Sequence, residues 1–270
     1  MQAVQQSSKN TGRVKQAAMR QNFPNGMMFE DMVKIAAELG MWGFDLAGPN
    51  DWPILQKYGM QPTSATGGGL NFNDGVVHPE LHDKIEASLR PFIDQCAAGG
   101  CPIIIGIGGL KGTLSYEQGA DNAVAFFNRV KSHLEDKGVT LATEVVNTKF
   151  TDTRLGRAGQ ICDHIAWAAD VMKRVNSPRV KILCDFYHLQ IMDGDLIHNL
   201  KTYYPEIGHF HTGGVPDRHE LDDTQEINYH AVAKAIADLG FQGFCAHEYS
   251  VTAGRDPKAS LKQAVEIMRV

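Results

Sequence analysis

The sequence lacks the features that mark several large classes of protein. It has no basic excess, because 26 Lys and Arg stand against 31 Asp and Glu, which gives a net charge of −5 and a pI of about 6.1. No apolar stretch approaches the length of a membrane span, and the N-terminus has no apolar leader core. We therefore expect a cytoplasmic protein with a small-molecule partner, no nucleic-acid partner and no membrane partner.

Its cysteines are few, and they follow no metal-binding or disulfide spacing. The five thiols fall inside predicted helices or strands, without a CxxC pair. We interpret them as buried free thiols of a reducing compartment. They are Cys96, Cys101, Cys162, Cys184 and Cys245.

Two phosphate-binding patterns are also missing. No GxGxxG follows the first predicted strand, which argues against an open, doubly wound dinucleotide-binding sheet. The glycine triplet at 67–69 is not followed by Lys and Ser or Thr, so we interpret it as a flexible loop.

What the sequence does contain is a regular alternation of strand-like and helix-like segments. Eight strand-then-helix units in about 250 residues predict an α/β protein, a single (β/α)8 TIM barrel over residues 15–270 after a polar N-terminal tail at 1–14. The predicted strands are 16–23, 42–47, 61–66, 101–107, 139–146, 180–185, 207–211 and 243–248. The predicted helices are 29–39, 51–58, 79–99, 117–137, 158–175, 194–201, 229–239 and 257–268.

Four polar side chains lie at the ends of the last four predicted strands. Barrel active sites are built at the C-terminal ends of strands, and buried polar groups are costly unless something binds them. Three carboxylates and one imidazole suit a hard divalent cation. The four candidate ligands are Glu144, Asp185, His211 and Glu248.

Side-chain parity separates neighbouring candidates. Glu248 and His247 point to opposite faces of strand eight, so we expect Glu248 to face the barrel axis and His247 to pack against the helices. His209 lies one layer below His211, and we interpret it as a hydrogen-bonded core histidine.

The segments around these residues resemble the motifs of the hydroxypyruvate isomerase family, which belongs to the xylose-isomerase-like barrels. The resemblance is strong from about 139 to 250 and weaker in the first hundred residues. The segments are EVVNTK at 144–149, DFYHLQIMDGD at 185–195, HTGGVPDRHE at 211–220 and HEY at 247–249.

The resemblance implies one divalent cation, Mg2+ or Mn2+, held by the four candidate ligands. It implies that Glu144 and Glu248 also transfer protons, and that His188 and Arg218 contact the substrate. The implied reaction interconverts an α-keto-β-hydroxy acid and its 2-hydroxy aldehyde through an enediolate, with hydroxypyruvate and 2-hydroxy-3-oxopropanoate as the first pair.

The supporting polar residues allow two interpretations each. The Arg218 guanidinium suits a substrate carboxylate, but it could instead pair with Glu220 or Asp222. His188 either polarises a substrate oxygen or makes a structural hydrogen bond. Asn147 and Lys149 either orient Glu144, reach the substrate or form loop structure.

Several related activities stay open. Ketose 3-epimerases share the metal set, but their first motif continues with an arginine and a second glutamate that this chain lacks after Asn147. A four-carbon 2-oxo sugar acid remains an alternative substrate, because Asp45 and Asp217 depart from the family pattern. Apurinic-site endonucleases need three zinc ions and more ligands, and a non-enzymatic metal-dependent sugar-acid binder would not need both Glu144 and Glu248.

A homo-oligomer is a further expectation that the sequence leaves open. Four apolar residues could form a subunit contact or could pack within the barrel. They are Met27, Met28, Phe29 and Trp52.

Overall fold

The computed structural model describes residue 9 and residues 11–270. Residues 1–8 and 10 of the predicted tail lie outside this range. Within its described part, Thr11 and Val14 are buried, and Lys9 donates hydrogen bonds to the carbonyls of Met41 and Gly59.

Strands and helices alternate along the described chain, as the sequence predicts. The strands are β1 (Lys15–Ala18), β2 (Gly43–Phe44), β3 (Gln61–Pro62), β4 (Ile103–Gly106), β5 (Thr140–Glu144), β6 (Val180–Asp185), β7 (Ile207–Thr212) and β8 (Phe244–His247). The helices are α1 (Phe29–Glu38), α2 (Trp52–Lys57), α3 (His82–Gly99), α4 (Tyr116–Lys137), α5 (Ile165–Val175), α6 (Phe186–Met192), α7 (Leu196–Tyr203), α8 (Tyr229–Asp238) and α9 (Pro257–Ile267).

The chain divides into two compact units. The first unit comprises the residues up to Thr63 together with His211–Val270, and the second comprises Ser64–Phe210. Strand β7 therefore has its first four residues in the second unit and its last two in the first. The single barrel domain expected over 15–270 stays a prediction.

In the first unit, β1 lies between β2 and β8, and both pairings are parallel. Ala17 of β1 is opposite Gly43 on one side and Ala246 on the other. Strand β3 pairs in parallel with the far side of β2. Ala17, Met19 and Ala246 pack together in the core of this sheet.

In the second unit, β4, β5 and β6 form a parallel sheet, and the first residues of β7 continue it beside β6. All four residues of β4 are buried, as expected for an apolar strand that is covered on both faces. Ala65 makes a parallel bridge to Ile104, with its amide donating to the carbonyl of Ile103 at 2.9 Å.

Several predicted boundaries are wrong. The second and third strands, predicted at 42–47 and 61–66, are only Gly43–Phe44 and Gln61–Pro62. Three further differences have local reasons. The first strand ends at Ala18 instead of residue 23, because Asn22 accepts a hydrogen bond from the Met19 amide and closes a 3-10 turn over Arg20–Asn22. Helix α5 begins at Ile165 instead of 158, because the chain at Gln160 bridges to Leu110.

The third boundary lies after β6. The chain turns directly into helix α6 after Asp185, a helix that the sequence analysis did not predict, and the helix predicted at 194–201 is Leu196–Tyr203. Asp185 is the N-cap of α6, because its carboxylate accepts a hydrogen bond from the Tyr187 amide at 2.8 Å. The predicted ligand therefore also begins a helix.

The five cysteines are buried free thiols, as predicted. Among the apolar residues considered for a subunit contact, Met28 is 71% exposed, whereas Trp52 is buried. Within residue 9 and residues 11–270, none of the helices combines the length and the apolar character needed to cross a bilayer.

Candidate active site

In the first unit the candidate site is built around the imidazole of His211. Its Nε2 lies 2.9 Å from Oδ2 of Asp45, the residue that directly follows β2. Oδ1 of Asp45 accepts a hydrogen bond from the Thr63 hydroxyl at 2.6 Å. His211 Nδ1 lies 2.5 Å from Oε2 of Glu248, the residue that directly follows β8. The ring is therefore held between two carboxylates.

This arrangement determines the charge on the His211 ring. Burial lowers the pKa of His211, but the Glu248 carboxylate and the hydrogen bond to Asp45 raise it further, so the pKa lies well above its usual range. The two carboxylates beside the imidazole therefore stabilise a positive charge on the His211 ring.

The same residues fit a divalent cation. If a cation bound at Nδ1, it would supply the positive charge, and the ring would keep its Nε2 proton for the Asp45 carboxylate. A histidine ligand that donates its other N–H to a carboxylate is the usual outer-shell pattern of metal sites. Carboxylate and imidazole donors suit Mn2+ and, where oxygen predominates, Mg2+.

Arg218 meets the same carboxylate. Its Nη2 lies 3.0 Å from Glu248 Oε2, and its side chain is nearly buried. Asp217 and Arg218 both adopt a left-handed backbone, with φ of 71° and 57°. This local strain is maintained by hydrogen bonds from the Arg218 amide to Gly214 O and from the Ser250 amide to Arg218 O, both at 2.9 Å.

The acids considered as surface partners of Arg218 face another arginine. Arg255 Nη1 lies 2.7 Å from Asp222 and 3.8 Å from Glu220. Glu220 also accepts hydrogen bonds from the Thr252 amide and hydroxyl at 3.0 and 2.6 Å.

Gln21 is a site residue that the sequence analysis missed. Its Nε2 donates to Glu248 Oε1 at 3.3 Å. Gln21 also lines a cavity of about 290 Å3 in the first unit, whose other lining residues come from 23–25 and from 250–257. No pattern in the sequence marked it, because it follows an alanine-rich strand in a short turn.

In the second unit the candidate site is built around His188 of α6. Its Nε2 lies 3.8 Å from Oε1 of Glu144, the last residue of β5, and 3.7 Å from Oδ2 of Asp185, the last residue of β6. Both distances exceed hydrogen-bond length. The exposed fraction of all three residues is 9% or less.

The other nitrogen of His188 contacts Asn147. Asn147 Nδ2 lies 2.7 Å from His188 Nδ1 and 2.6 Å from the carbonyl oxygen of Leu155. Lys149, two residues further along, is exposed.

The predicted ligands thus come together in pairs within each unit. His211 contacts Glu248 in the first unit, and Glu144 and Asp185 both lie within 4 Å of His188 in the second. That all four hold one ion stays a prediction. Asp45 was not among the predicted ligands, although it directly follows β2 just as Glu248 directly follows β8.

His247 is buried, as the parity of β8 predicts. Its Nδ1 lies 2.9 Å from the Thr212 hydroxyl, and its Nε2 lies 2.9 Å from Gln16 Oε1. Burial lowers the pKa of His247 to about 3, so it is neutral and structural.

The chain is similar to known proteins along most of its length. A model of the xylose isomerase-like TIM barrel family matches residues 53–270. The Danio rerio protein named "Putative hydroxypyruvate isomerase" is 34% identical over 136 residues, 50% of this chain and 45% of that protein. The 2-oxo-tetronate isomerase of Cupriavidus necator is 33% identical over 118 residues, 44% of this chain and 43% of that protein.

Solved structures share the fold. The crystal structure of AP endonuclease, family 2, from Brucella melitensis has a TM-score of 0.80 at 23% identity, and the match covers 92% of this chain and 96% of that one. At this identity the likeness shows the fold alone. The two matches to named isomerases each span less than half of the relative.

Proposed function

Because the chain belongs to the xylose isomerase-like TIM barrel family, we propose that it is a divalent-metal-dependent isomerase. It interconverts an α-keto-β-hydroxy acid and its 2-hydroxy aldehyde, with hydroxypyruvate and 2-hydroxy-3-oxopropanoate as the first pair. The observation that carries the proposal is that one oxygen of Glu248 faces both His211 and Arg218, at 2.5 and 3.0 Å. The names of the similar isomerases support it.

In this proposal four residues hold one cation, Mg2+ or Mn2+. The donor types support it, since three carboxylates and one imidazole suit these ions. When bound, the cation supplies positive charge that stabilises the two neighbouring oxygens of an enediolate. The proposed ligands are Glu144, Asp185, His211 and Glu248.

Glu248 and Glu144 are the proposed proton-transfer residues. One carboxylate removes a proton from C3 of hydroxypyruvate, a proton is returned to C2, and the hydroxyl proton moves from the C3 oxygen to the C2 oxygen. Each carboxylate lies at a strand end beside an imidazole, and each is about nine-tenths buried. Burial keeps water from competing for the proton.

Arg218 and His188 are the proposed substrate contacts. A guanidinium presents a planar pair of N–H groups that matches a substrate carboxylate. Arg218 is held by a strained loop and directed at Glu248, which supports a role in placing the acid group next to the reacting carbon.

A closed (β/α)8 barrel is the fold that this proposal assumes. The Ala65 bridge to Ile104 supports closure, because it attaches the chain that follows β3 to β4 with a parallel hydrogen-bond pattern. Strand β3 itself is only two residues long.

The test is proton NMR in D2O with added Mg2+, with hydroxypyruvate, 2-oxo-tetronate and D-fructose followed separately. Conversion of hydroxypyruvate with deuterium entering the carbon-bound position is the expected result. Deuterium at C3 of fructose would support an epimerase instead. Saturable binding without exchange would contradict any isomerase and support a binding protein.

A four-carbon 2-oxo acid is the second candidate substrate. The similarity to a 2-oxo-tetronate isomerase favours it. The ratio of kcat/KM for the two acids decides between them.

A further inference from the structure

We propose that Asn147 is a positioning residue that fixes His188 in the tautomer with its proton on Nε2. Asn147 would then act through the histidine without touching the substrate. The assignment follows from three neighbouring groups of the second unit: the Asn147 amide, the Leu155 carbonyl and the His188 ring.

The first step fixes which way the Asn147 amide points. One terminal atom of the amide lies 2.6 Å from the carbonyl oxygen of Leu155. A carbonyl oxygen can only accept a hydrogen bond, so this atom must be the NH2 group. The flipped amide would place two oxygens in contact and is excluded.

The second step fixes the ring. The same NH2 group lies 2.7 Å from His188 Nδ1. Its second hydrogen is directed to that nitrogen, so Nδ1 must accept and carries no proton. A neutral imidazole has one N–H, which must therefore be on Nε2.

The third step relates the Nε2–H tautomer of His188 to catalysis, and it rests on the proposed function. Nε2 is 3.8 Å from Glu144 and 3.7 Å from Asp185, too far to donate a full hydrogen bond to either carboxylate. An N–H on Nε2 therefore lies beside a proposed proton-transfer residue and a proposed metal ligand. A neutral N–H donor there can polarise the substrate carbonyl without removing a proton from it.

The loop that follows Asn147 packs against this residue. The backbone amide of Arg157 donates a hydrogen bond to the backbone carbonyl oxygen of Asn147 at 2.8 Å. A Cβ on Gly156 would lie 2.5 Å from Asn147 Oδ1, so only glycine leaves room for the side chain. Within the described residues this buried Oδ1 accepts no hydrogen bond, which leaves the NH2 group as the part of the amide that the site uses.

The test is the 15N NMR spectrum of the histidine-labelled full chain, with His188 assigned by loss of its signals in His188→Gln. We expect Nδ1 of His188 at a pyridine-type shift and Nε2 at a pyrrole-type shift, without metal or substrate. The reverse pattern in the wild-type protein would overturn the proposal, and this result needs no variant of Asn147.

Two variants test whether the tautomer of His188 depends on Asn147. Asn147→Asp replaces the donor with an acceptor and should move the proton to Nδ1, and Asn147→Leu should give a mixture of tautomers. The matched control is Asn122→Asp, which removes a hydrogen bond from an asparagine to the Val77 carbonyl and should leave the His188 signals unchanged. An unchanged His188 pattern in Asn147→Asp would also overturn the proposal.

A kinetic measurement separates this inference from the proposed function. With Mg2+ and hydroxypyruvate, Asn147→Asp should lower kcat by about 100-fold while KM changes by less than about threefold. Equal changes in kcat and KM would contradict action through His188. If the wild-type protein does not convert hydroxypyruvate, the proposed function fails, whereas the tautomer result stands by itself.

Discussion

The two units use the same residue types in opposite ways. In the first, His211 lies 2.5 and 2.9 Å from two carboxylates and its pKa is raised. In the second, His188 Nε2 lies 3.7 and 3.8 Å from two carboxylates, and its Nδ1 contacts the side-chain amide of Asn147. An imidazole between carboxylates can exchange its proton for a cation, whereas a neutral imidazole whose Nδ1 accepts from an amide carries its N–H on Nε2. These neighbours support the proposed roles, metal binding for His211 and substrate contact for His188.

The largest expected effect is at Glu248. Glu248→Gln keeps the shape but cannot accept the substrate proton, so we expect kcat to fall by about 1,000-fold, with a smaller change in substrate affinity. Steady-state kinetics and equilibrium binding of hydroxypyruvate measure the two quantities. The control is Glu266→Gln, which removes an exposed acid that pairs with Lys262. Equal losses of turnover and affinity would contradict proton transfer by Glu248.

The next effect tests whether Asp45 positions His211, the proposed metal-binding histidine. Asp45→Asn removes the acceptor of the His211 Nε2 proton, and we expect Mn2+ affinity to fall by about 10- to 100-fold. Mn2+ titration followed by electron paramagnetic resonance measures it. Asp163→Asn is the matched control, because Asp163 is also buried but accepts hydrogen bonds from Tyr116 and Thr148. Unchanged Mn2+ affinity in Asp45→Asn would contradict the proposal that Asp45 positions His211 for metal binding.

A smaller effect is expected at Arg218. Arg218→Lys keeps the charge and loses the planar fork, so KM for hydroxypyruvate should rise about tenfold, with a smaller change in kcat. The control is Arg255→Lys, whose guanidinium faces Asp222. If KM were unchanged and kcat fell, Arg218 would act on Glu248 rather than on the substrate.

The smallest effect concerns His247, a buried histidine whose ring nitrogens face a hydroxyl and an amide oxygen. Its folded-state pKa is about 3, below the ordinary 6.5, so the unfolded chain takes up the proton first as pH falls. Stability is therefore fully present above pH 6.5 and is lost as pH falls toward 3. Between pH 6.5 and 5.5 we expect the free energy of unfolding to drop by about 1 kcal/mol more than in His247→Gln. Urea unfolding at the two pH values measures this, and parallel pH slopes would show that His247 is not held neutral.

Hydrophobic periodicity was sufficient to predict the eight strands and most of the helices. Strands β4 to β8 lie within two residues of the predicted bounds, because most residues of each apolar run are buried. The missed features depend on single side chains that bond to the backbone. Asn22 closes the turn after β1, and Asp185 starts α6. Such local competition leaves no periodic signal.

The candidate site, like the fold, could be predicted from the sequence only in part. The sequence could indicate which polar residues lie at strand ends, because that follows from the position of each strand. It could not show which carboxylate faces which ring nitrogen, so Asp45 and Gln21 went unassigned. Their roles depend on contacts to Glu248 and His211, which lie more than 160 residues away in the chain.

The central claim is that four residues hold one divalent cation, and Mn2+ binding tests it most directly. Titration of the wild-type chain, His211→Gln and Asp185→Asn, followed by electron paramagnetic resonance, compares two of the proposed ligands. We predict one Mn2+ per wild-type chain and a loss of affinity of at least about 100-fold in both variants. Retention of the site in Asp185→Asn, or two ions that each respond to one substitution only, would contradict the account.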